Sequence, residues 1–260
     1  MEPHARLYSA AALYDLAFSY RDVGAQCSFL RDTFHALRGR HARSFLELAA
    51  GPARHALEMS RSGLASTALD RSPEMAALAR GRAAAAGLEL TYVVSDMTRF
   101  HAPSRVELAA CLLSSTSYLL TDEAMLAHLE AARAALHEDG LYWLELTHPV
   151  ELEGTRKSQT RWTMADGRGR VLVDWQGDPA RARHGIWQTR VLLRYEPSDG
   201  GPPIEIEDVA EQRALTERQA RELAARSGWR VEATFGDFDA NVGLDDARAT
   251  RMLLALTPSS

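Results

Sequence analysis

The chain has 260 residues, too long for a minimal module and short for two full domains, which fits one large α/β domain carrying an insertion. Hydrophobic residues make up 46% and charged residues 25%, the balance of an ordinary folded protein, so wholesale disorder is excluded. With 30 basic against 35 acidic side chains the net charge is −5, which excludes a general nucleic-acid surface, because phosphate binding needs a basic face.

In chain order, residues 5–38 predict helix, with apolar positions at three- and four-residue spacing (Leu13, Leu16, Phe29, Leu30, Phe34, Leu37) and a stop at Gly39. Ser44–Leu48 is a short apolar strand ending at Gly51-Pro52, and Ala56–Ser62 a helix closed by Gly63. Ala65–Leu69 is a second strand closing on Asp70. Ser72-Pro73-Glu74 then opens a helix with a capping hydroxyl, a proline in the first turn and an acid at the positive end of the dipole, and Gly87 ends it. Leu90–Val94 runs into Asp96, and Val106–Leu113 into Ser114-Ser115. Thr121 caps a helix to Leu136, and Leu141–Leu146 is a fifth strand. This alternation predicts a Rossmann-like, doubly wound, mostly parallel α/β sheet.

The rhythm breaks after His148-Pro149. Thr160–Met164, Arg170–Trp175, Ile186–Tyr195 and Ile204–Arg213 read as strands with no long helix between them. Turn signals separate them at Asp166-Gly167, Gly177-Asp178-Pro179 and Asp199-Gly200-Gly201-Pro202. They predict an antiparallel β insertion after the fifth strand. A helix (Glu217–Ser227) and two strands (Trp229–Phe235, Arg251–Leu256) complete the chain. The expected division is a helical arm or lid at 1–40, a core at 41–154 and 214–260, and an inserted sheet at 155–213.

Cys27 and Cys111 lie in apolar segments and cannot form a disulfide framework, so a reduced, cytoplasmic protein is expected. The first residues lack the pattern of a signal peptide, and no apolar run approaches the ~20 residues that span a bilayer. No His/Cys cluster has metal-ligand spacing, and no metal is expected.

In an open parallel sheet, ligands bind beyond the carboxyl ends of the strands at the topological switch point. Three carboxylates stand at such ends: Glu47 before the Gly51 turn, Asp70 after the second strand and Asp96 after the third. A glycine turn admits close backbone approach, the second carboxylate suits a ribose diol, and the third suits an adenine amino group. Each alone is as readily a turn former or helix cap. Together they point to a nucleoside.

The segments Phe45–Gly51, Ala68–Met75 and Ser95–Phe100 resemble the acidic–glycine, ribose-binding and adenine-binding motifs of the class I S-adenosylmethionine-dependent methyltransferases. Two segments depart from the pattern, the first motif with Ala49 and Ala53 where glycine is common and the fourth strand with Glu107 where aspartate is. The resemblance implies S-adenosylmethionine as cofactor, held by Glu47, Ala49, Gly51, Asp70, Arg71, Met75, Asp96, Met97, Leu113 and Ser114. A nicotinamide-dependent oxidoreductase shares the fold but needs three glycines where this chain has only Gly51. A non-catalytic S-adenosylmethionine-binding protein is the third possibility.

Tyr14-Asp15, the segment Leu112–Leu119 and the insertion further resemble small-molecule, amino-sugar type N-methyltransferases of natural-product pathways, which implies a small-molecule or peptide acceptor and N-methylation, with O- or C-methylation as the alternative. No nucleic-acid or membrane partner is expected, and a homodimer is possible. Tyr14, Tyr20 and Arg21 read either as a lid meeting the methionine carboxylate, for which the arginine fork is suited, or as an amphipathic helix. Trp162, Trp175 and Trp187 read as a substrate wall, a dimer face or the insertion's own core. Tyr118 and His148 are the catalytic candidates, against a packing tyrosine and a turn histidine.

Overall fold

In the computed structural model, residues 5–148, 158–177 and 182–259 are described. The chain divides into two units, Met1–Arg21 with Val150–Arg213, and Asp22–Pro149 with Ala214–Ser260. The larger unit contains a seven-stranded sheet. Its members in chain order are β1 (Ser44–Leu48), β2 (Ala65–Asp70), β3 (Thr91–Val94), β4 (Val106–Cys111), β5 (Leu136–Thr147), and a late pair numbered below β10 (Trp229–Phe235) and β11 (Arg251–Pro258). Spatial order is β10-β11-β5-β4-β1-β2-β3. The contacts β3·β2, β2·β1, β1·β4 and β4·β5 are parallel, and β11 runs antiparallel to both β5 and β10.

Alternate residues of each strand feed opposite faces. Leu46, Leu48, Ala109, Cys111, Tyr142 and Leu144 pack against α6 (Asp122–Ala134) and α7 (Glu217–Arg226). Phe45, Leu108, Ala110, Leu141, Trp143 and Leu253 pack against α3 (Val23–Arg38), α4 (Arg54–Arg61) and α5 (Pro73–Ala86). With both faces covered, β4 is buried at all six positions, as a central parallel strand must be. Burying each large aliphatic or aromatic side chain here contributes about 1.5–3 kcal/mol.

Two boundaries differ from the sequence expectation. Helix α6 stops at Ala134, and β5 begins five residues before Leu141. Leu136 pairs with Val106, and the register shifts before Leu108. Gly140 makes that irregularity possible, since a Cβ there would lie 2.8 Å from Leu136 Cδ2 and 2.9 Å from the His137 carbonyl oxygen. The expected arm is also divided. Asp22 accepts the Ala25 N–H and starts α3 inside the larger unit, whereas α1 (Ala5–Ser9) and α2 (Ala11–Ala17) belong to the smaller one.

That smaller unit is an antiparallel meander of β6 (Ser158–Asp166), β7 (Gly169–Gly177), β8 (Ile186–Pro197) and β9 (Ile204–Arg213). The four strands fall where the alternating runs predict them. The β7–β8 turn expected at Gly177-Asp178-Pro179 and the expected start of the insertion at residue 155 lie outside the described residues in part or whole. One face carries Val171, Val173, Val191 and Leu193 against Leu7 and Ala17. Asp208 accepts the Arg6 and Leu7 N–H groups at 3.0 and 3.1 Å, and Trp162 Nε1 donates to the Ala17 carbonyl at 2.7 Å. The opposite face is a lattice of cross-strand ion pairs, including Arg161–Asp174 and Arg194–Glu205. Among the described residues no helix is long and apolar enough to cross a membrane.

One polar chain runs through the larger core. His128, fully buried, donates from Nδ1 to the Met97 carbonyl at 3.1 Å and accepts at Nε2 from the Tyr142 hydroxyl at 2.6 Å. Burial outweighs the carbonyl contact and lowers its pKa to about 4. The unfolded chain takes up a proton at His128 near the ordinary 6.5, whereas the folded chain resists until about 4. Stability is therefore fully present above pH 6.5 and is lost as pH falls toward 4, by roughly 3 kcal/mol in all. Urea midpoints measured from pH 7 to 4.5 should fall, and His128→Gln should flatten that slope.

Candidate active site at the strand ends

The strand order reverses between β1 and β4, which opens the crevice at their carboxyl ends. The turn leaving β1 holds three left-handed residues, Ala49 at φ 51°, Gly51 at 50° and Ala53 at 54°. The two alanines that depart from the glycine pattern thus stand where glycine would be least strained, and each L-residue there costs about 1–2 kcal/mol. Long-range bonds offset the cost. Ala50 N–H donates to the Leu69 carbonyl at 2.9 Å, Gly51 N–H to Asp70 Oδ2 at 2.8 Å, and the Tyr92 hydroxyl to the Gly51 carbonyl at 2.6 Å.

Asp70 also accepts the Ser72 N–H on Oδ1 at 2.9 Å. Burial raises its pKa above the usual carboxylate range despite these donors. A carboxylate at this strand end has the acceptor chemistry that a diol needs. One strand further, Asp96 takes both the N–H and the hydroxyl of Thr98 on Oδ1, at 2.8 and 2.7 Å. Burial pushes its carboxyl up, but the Thr98 bonds outweigh that and hold it below the ordinary value. Arg71 is exposed beside Asp70, whereas Met75 spends its side chain on the core at 1% exposure.

Glu47 has a different task. Both oxygens are used inside the fold, Oε1 by His55 Nδ1 at 2.9 Å and Oε2 by the Ala56 N–H at 2.8 Å. Ala53 is the N-cap of α4 and has no side-chain acceptor. The buried Glu47 carboxylate therefore satisfies that helix start from the neighbouring strand, where the dipole favours negative charge. Gln26 continues the chain, 2.8 Å from His55 Nε2.

The loop leaving β4 holds Leu113 and Ser114 at φ 60° and 50°, then a 3-10 turn over Ser115–Tyr118. Tyr118 is half-buried at its end. His148, just past the end of β5, is buried and its Nε2 donates to the Leu244 carbonyl at 3.0 Å. Glu107, the other departure from pattern, is structural. It accepts from Arg40 Nη1 at 2.7 Å and the Arg43 N–H at 2.5 Å, which lowers its pKa against the opposing effect of burial. Burial pushes both cysteine thiols far up, so neither is a nucleophile.

Tyr14, Tyr20 and Arg21 belong to the smaller unit. There Tyr14 packs on Tyr8 and Phe18, and Tyr20 and Phe18 each meet the Trp162 ring. Trp162 and Trp175 also border the unit's apolar core, which favours the reading of these rings as the insertion's own core. Sequence reasoning missed Tyr92, His55, His128 and Glu145. Tyr92 and Glu145 act across separations of 41 and 32 residues, with no local signal.

Residues 45–140 match the family model described as a methyltransferase domain. No curated protein matches the chain. Among solved structures, it is similar to Streptomyces venezuelae DesVI at 19% identity and a TM-score of 0.80, covering 96% of this chain and 98% of the other. The sugar N-methyltransferase KedS8 from Streptoalloteichus sp. matches at 16% identity and 0.75, covering 95% and 93%. CalS10, an amino pentose methyltransferase from Micromonospora echinaspora involved in calicheamicin biosynthesis, matches at 19% and 0.72, covering 95% and 96%. The chain has the fold of these methyltransferases, and its residues 45–140 match the methyltransferase-domain model.

The Gly51 turn makes its own prediction. Gly51→Ala should lower the unfolding free energy by about 1–2 kcal/mol through the left-handed backbone. Tyr92→Phe should lower it by about 1 kcal/mol by removing the donor to the Gly51 carbonyl. Denaturant titration of both variants checks this, and an unchanged midpoint in both would show that the turn is not held as described.

Proposed function

We propose that the protein is an S-adenosylmethionine-dependent methyltransferase that methylates nitrogen on a small molecule of natural-product type. The observation that carries this reading is Asp70, a half-buried carboxylate at the end of β2 that is fixed by the Gly51 and Ser72 N–H groups, one on each oxygen. Asp96 on the next strand end offers a second acceptor. A ribose diol and an adenine amino group are donors that match this pair, and the methyltransferase-domain match over residues 45–140 supports the choice of nucleoside. The sugar N-methyltransferase and amino pentose methyltransferase among its structural relatives support nitrogen as the accepting atom.

When bound, the cofactor supplies a sulfonium methyl group that is already electrophilic. The protein's work is then orientation, worth up to roughly 7–11 kcal/mol when reacting atoms are held in line. Asp70 and Asp96 hold the nucleoside, and Gly51 gives it close access to backbone. Leu113 and Ser114 border the same crevice from β4. The Tyr118 hydroxyl oxygen accepts an N–H of the acceptor amine, which aims the lone pair in line, or relays the amine's proton through water, with His148 as the alternative residue for that proton. An amine acceptor needs no stronger base than these.

Calorimetry with S-adenosylmethionine tests the binding half. Asp70→Ala and Asp96→Ala should each cost roughly 1–3 kcal/mol, or about 5- to 150-fold in affinity. Because the diol donates to the ionised carboxylate, wild-type affinity should fall as pH drops through the raised pKa of Asp70, and Asp70→Asn should abolish that dependence. Unchanged affinity in both alanine variants overturns the assignment. Tyr118→Phe keeps the ring and removes only the hydroxyl. With amino sugars as acceptors it should lower kcat and leave cofactor affinity nearly unaltered. Normal turnover would make Tyr118 a packing residue and His148 the next position to vary.

A further inference from the structure

We infer that Glu145 is a positioning residue, whose buried carboxylate holds the loop after β4 in a conformation it would not otherwise keep. The inference deepens the reading above and rests on it for the role of Tyr118. Leu113 and Ser114 are consecutive non-glycine residues with φ of 60° and 50°, a region that a Cβ disfavours. Such pairs persist only where the surroundings over-determine them. The Leu113 N–H donates to Glu145 Oε2 at 2.8 Å, a charge-assisted bond from a neighbouring strand. Backbone bonds then carry the constraint forward, Ser115 N–H to the Leu112 carbonyl and Ser117 N–H to the Ser114 carbonyl at 2.8 Å.

Glu145 is itself oriented from behind. It is 4% exposed, and its other oxygen faces Arg251 Nη1 at 3.4 Å. Arg251 Nε is 3.1 Å from Asp237 Oδ1, and its guanidinium lies over the Phe238 ring at 5.2 Å. A carboxylate this deep is costly unless paired, and these groups pair it. The result is visible at Leu113. Its neighbour Leu112 is 3% exposed, whereas Leu113 is turned out to 37% at the carboxyl end of the sheet. Beyond it, the buried Thr116 hydroxyl has no hydrogen-bond partner among the described residues. Glu145 thereby sets where the Ser115–Tyr118 turn begins, and with it the position of Tyr118.

Hydrogen exchange of the Leu113 amide, global unfolding, S-adenosylmethionine affinity and kcat together test the inference on Glu145→Leu and Glu145→Gln. Glu145→Leu should reduce Leu113 protection about tenfold or more while β1 and β2 amides keep theirs. It should lower kcat by at least about tenfold and weaken S-adenosylmethionine binding, because Leu113 and Ser114 border the cofactor crevice. Glu145→Gln, whose amide oxygen still accepts the Leu113 N–H, should restore protection and most of the turnover. A Leu113 amide that stays protected in Glu145→Leu overturns the inference. So does loss of protection across the whole sheet, or a glutamine variant as damaged as the leucine one. If Glu145→Leu does not fold, Glu145→Gln decides alone by keeping or losing Leu113 protection. Failure of the wild type to bind S-adenosylmethionine would overturn the functional reading, while the exchange result would still decide the role of Glu145.

Discussion

A carboxylate withdrawn from water must be given donors, and in this protein the donors are backbone N–H groups of segments that the sheet cannot hold by itself. Glu47 takes the Ala56 N–H, Asp70 that of Gly51, Glu107 that of Arg43 and Glu145 that of Leu113. Three of these bonds reach from a strand to a connection near it, and that of Glu47 reaches the first turn of α4. Hydrophobic burial stacks the strands and helices, but it is non-directional and cannot specify where a loop turns. The acids do that. Two of them secure the turns at the ends of β1 and β4, on either side of the switch point.

The arrangement divides labour among the strand-end acids. Asp70 closes β2 and Asp96 follows β3, at the ends where the proposed nucleoside would lie, while Glu47 has both oxygens committed to the start of α4. Three carboxylates that look alike in sequence thus do two kinds of work. The His128–Tyr142 pair adds a further support from the opposite face of the sheet, gripping the carbonyl of Met97 next to Asp96. The residues that would touch a nucleoside are few, and those that hold them still are spread over most of the larger unit.

What could be read from the sequence was local. Ser44–Leu48, Ile204–Arg213 and Trp229–Phe235 are bounded by turn residues and carry strand periodicity, and the structure gives them the same limits. Asp70 and Asp96 were visible because a carboxylate closing a strand is a local pattern. The run Leu136–Gly140 follows an alanine-rich helix and carries its propensity, so nothing short-range announces that it extends β5. The division of the N-terminal arm was equally hidden, because α1 is capped by Asp208, some two hundred residues later, and pairing over that distance leaves no mark on either segment. Tyr92 and Glu145 escaped for the same reason.

The last strand has a further bearing on how the protein is made. β11 lies inside the sheet, between β5 and β10, although it is the final element of the chain. Until its residues leave the ribosome, β5 has an unsatisfied row of backbone groups beside some of the most apolar surface in the molecule. An open edge of that kind is a template for another chain. The chain is therefore open to association until β11 is made, and that strand docks into a slot between β5 and β10 rather than adding to a rim. Slow translation of the codons for β11 would prolong that exposure, and a chaperone that shields strand edges would act at this stage.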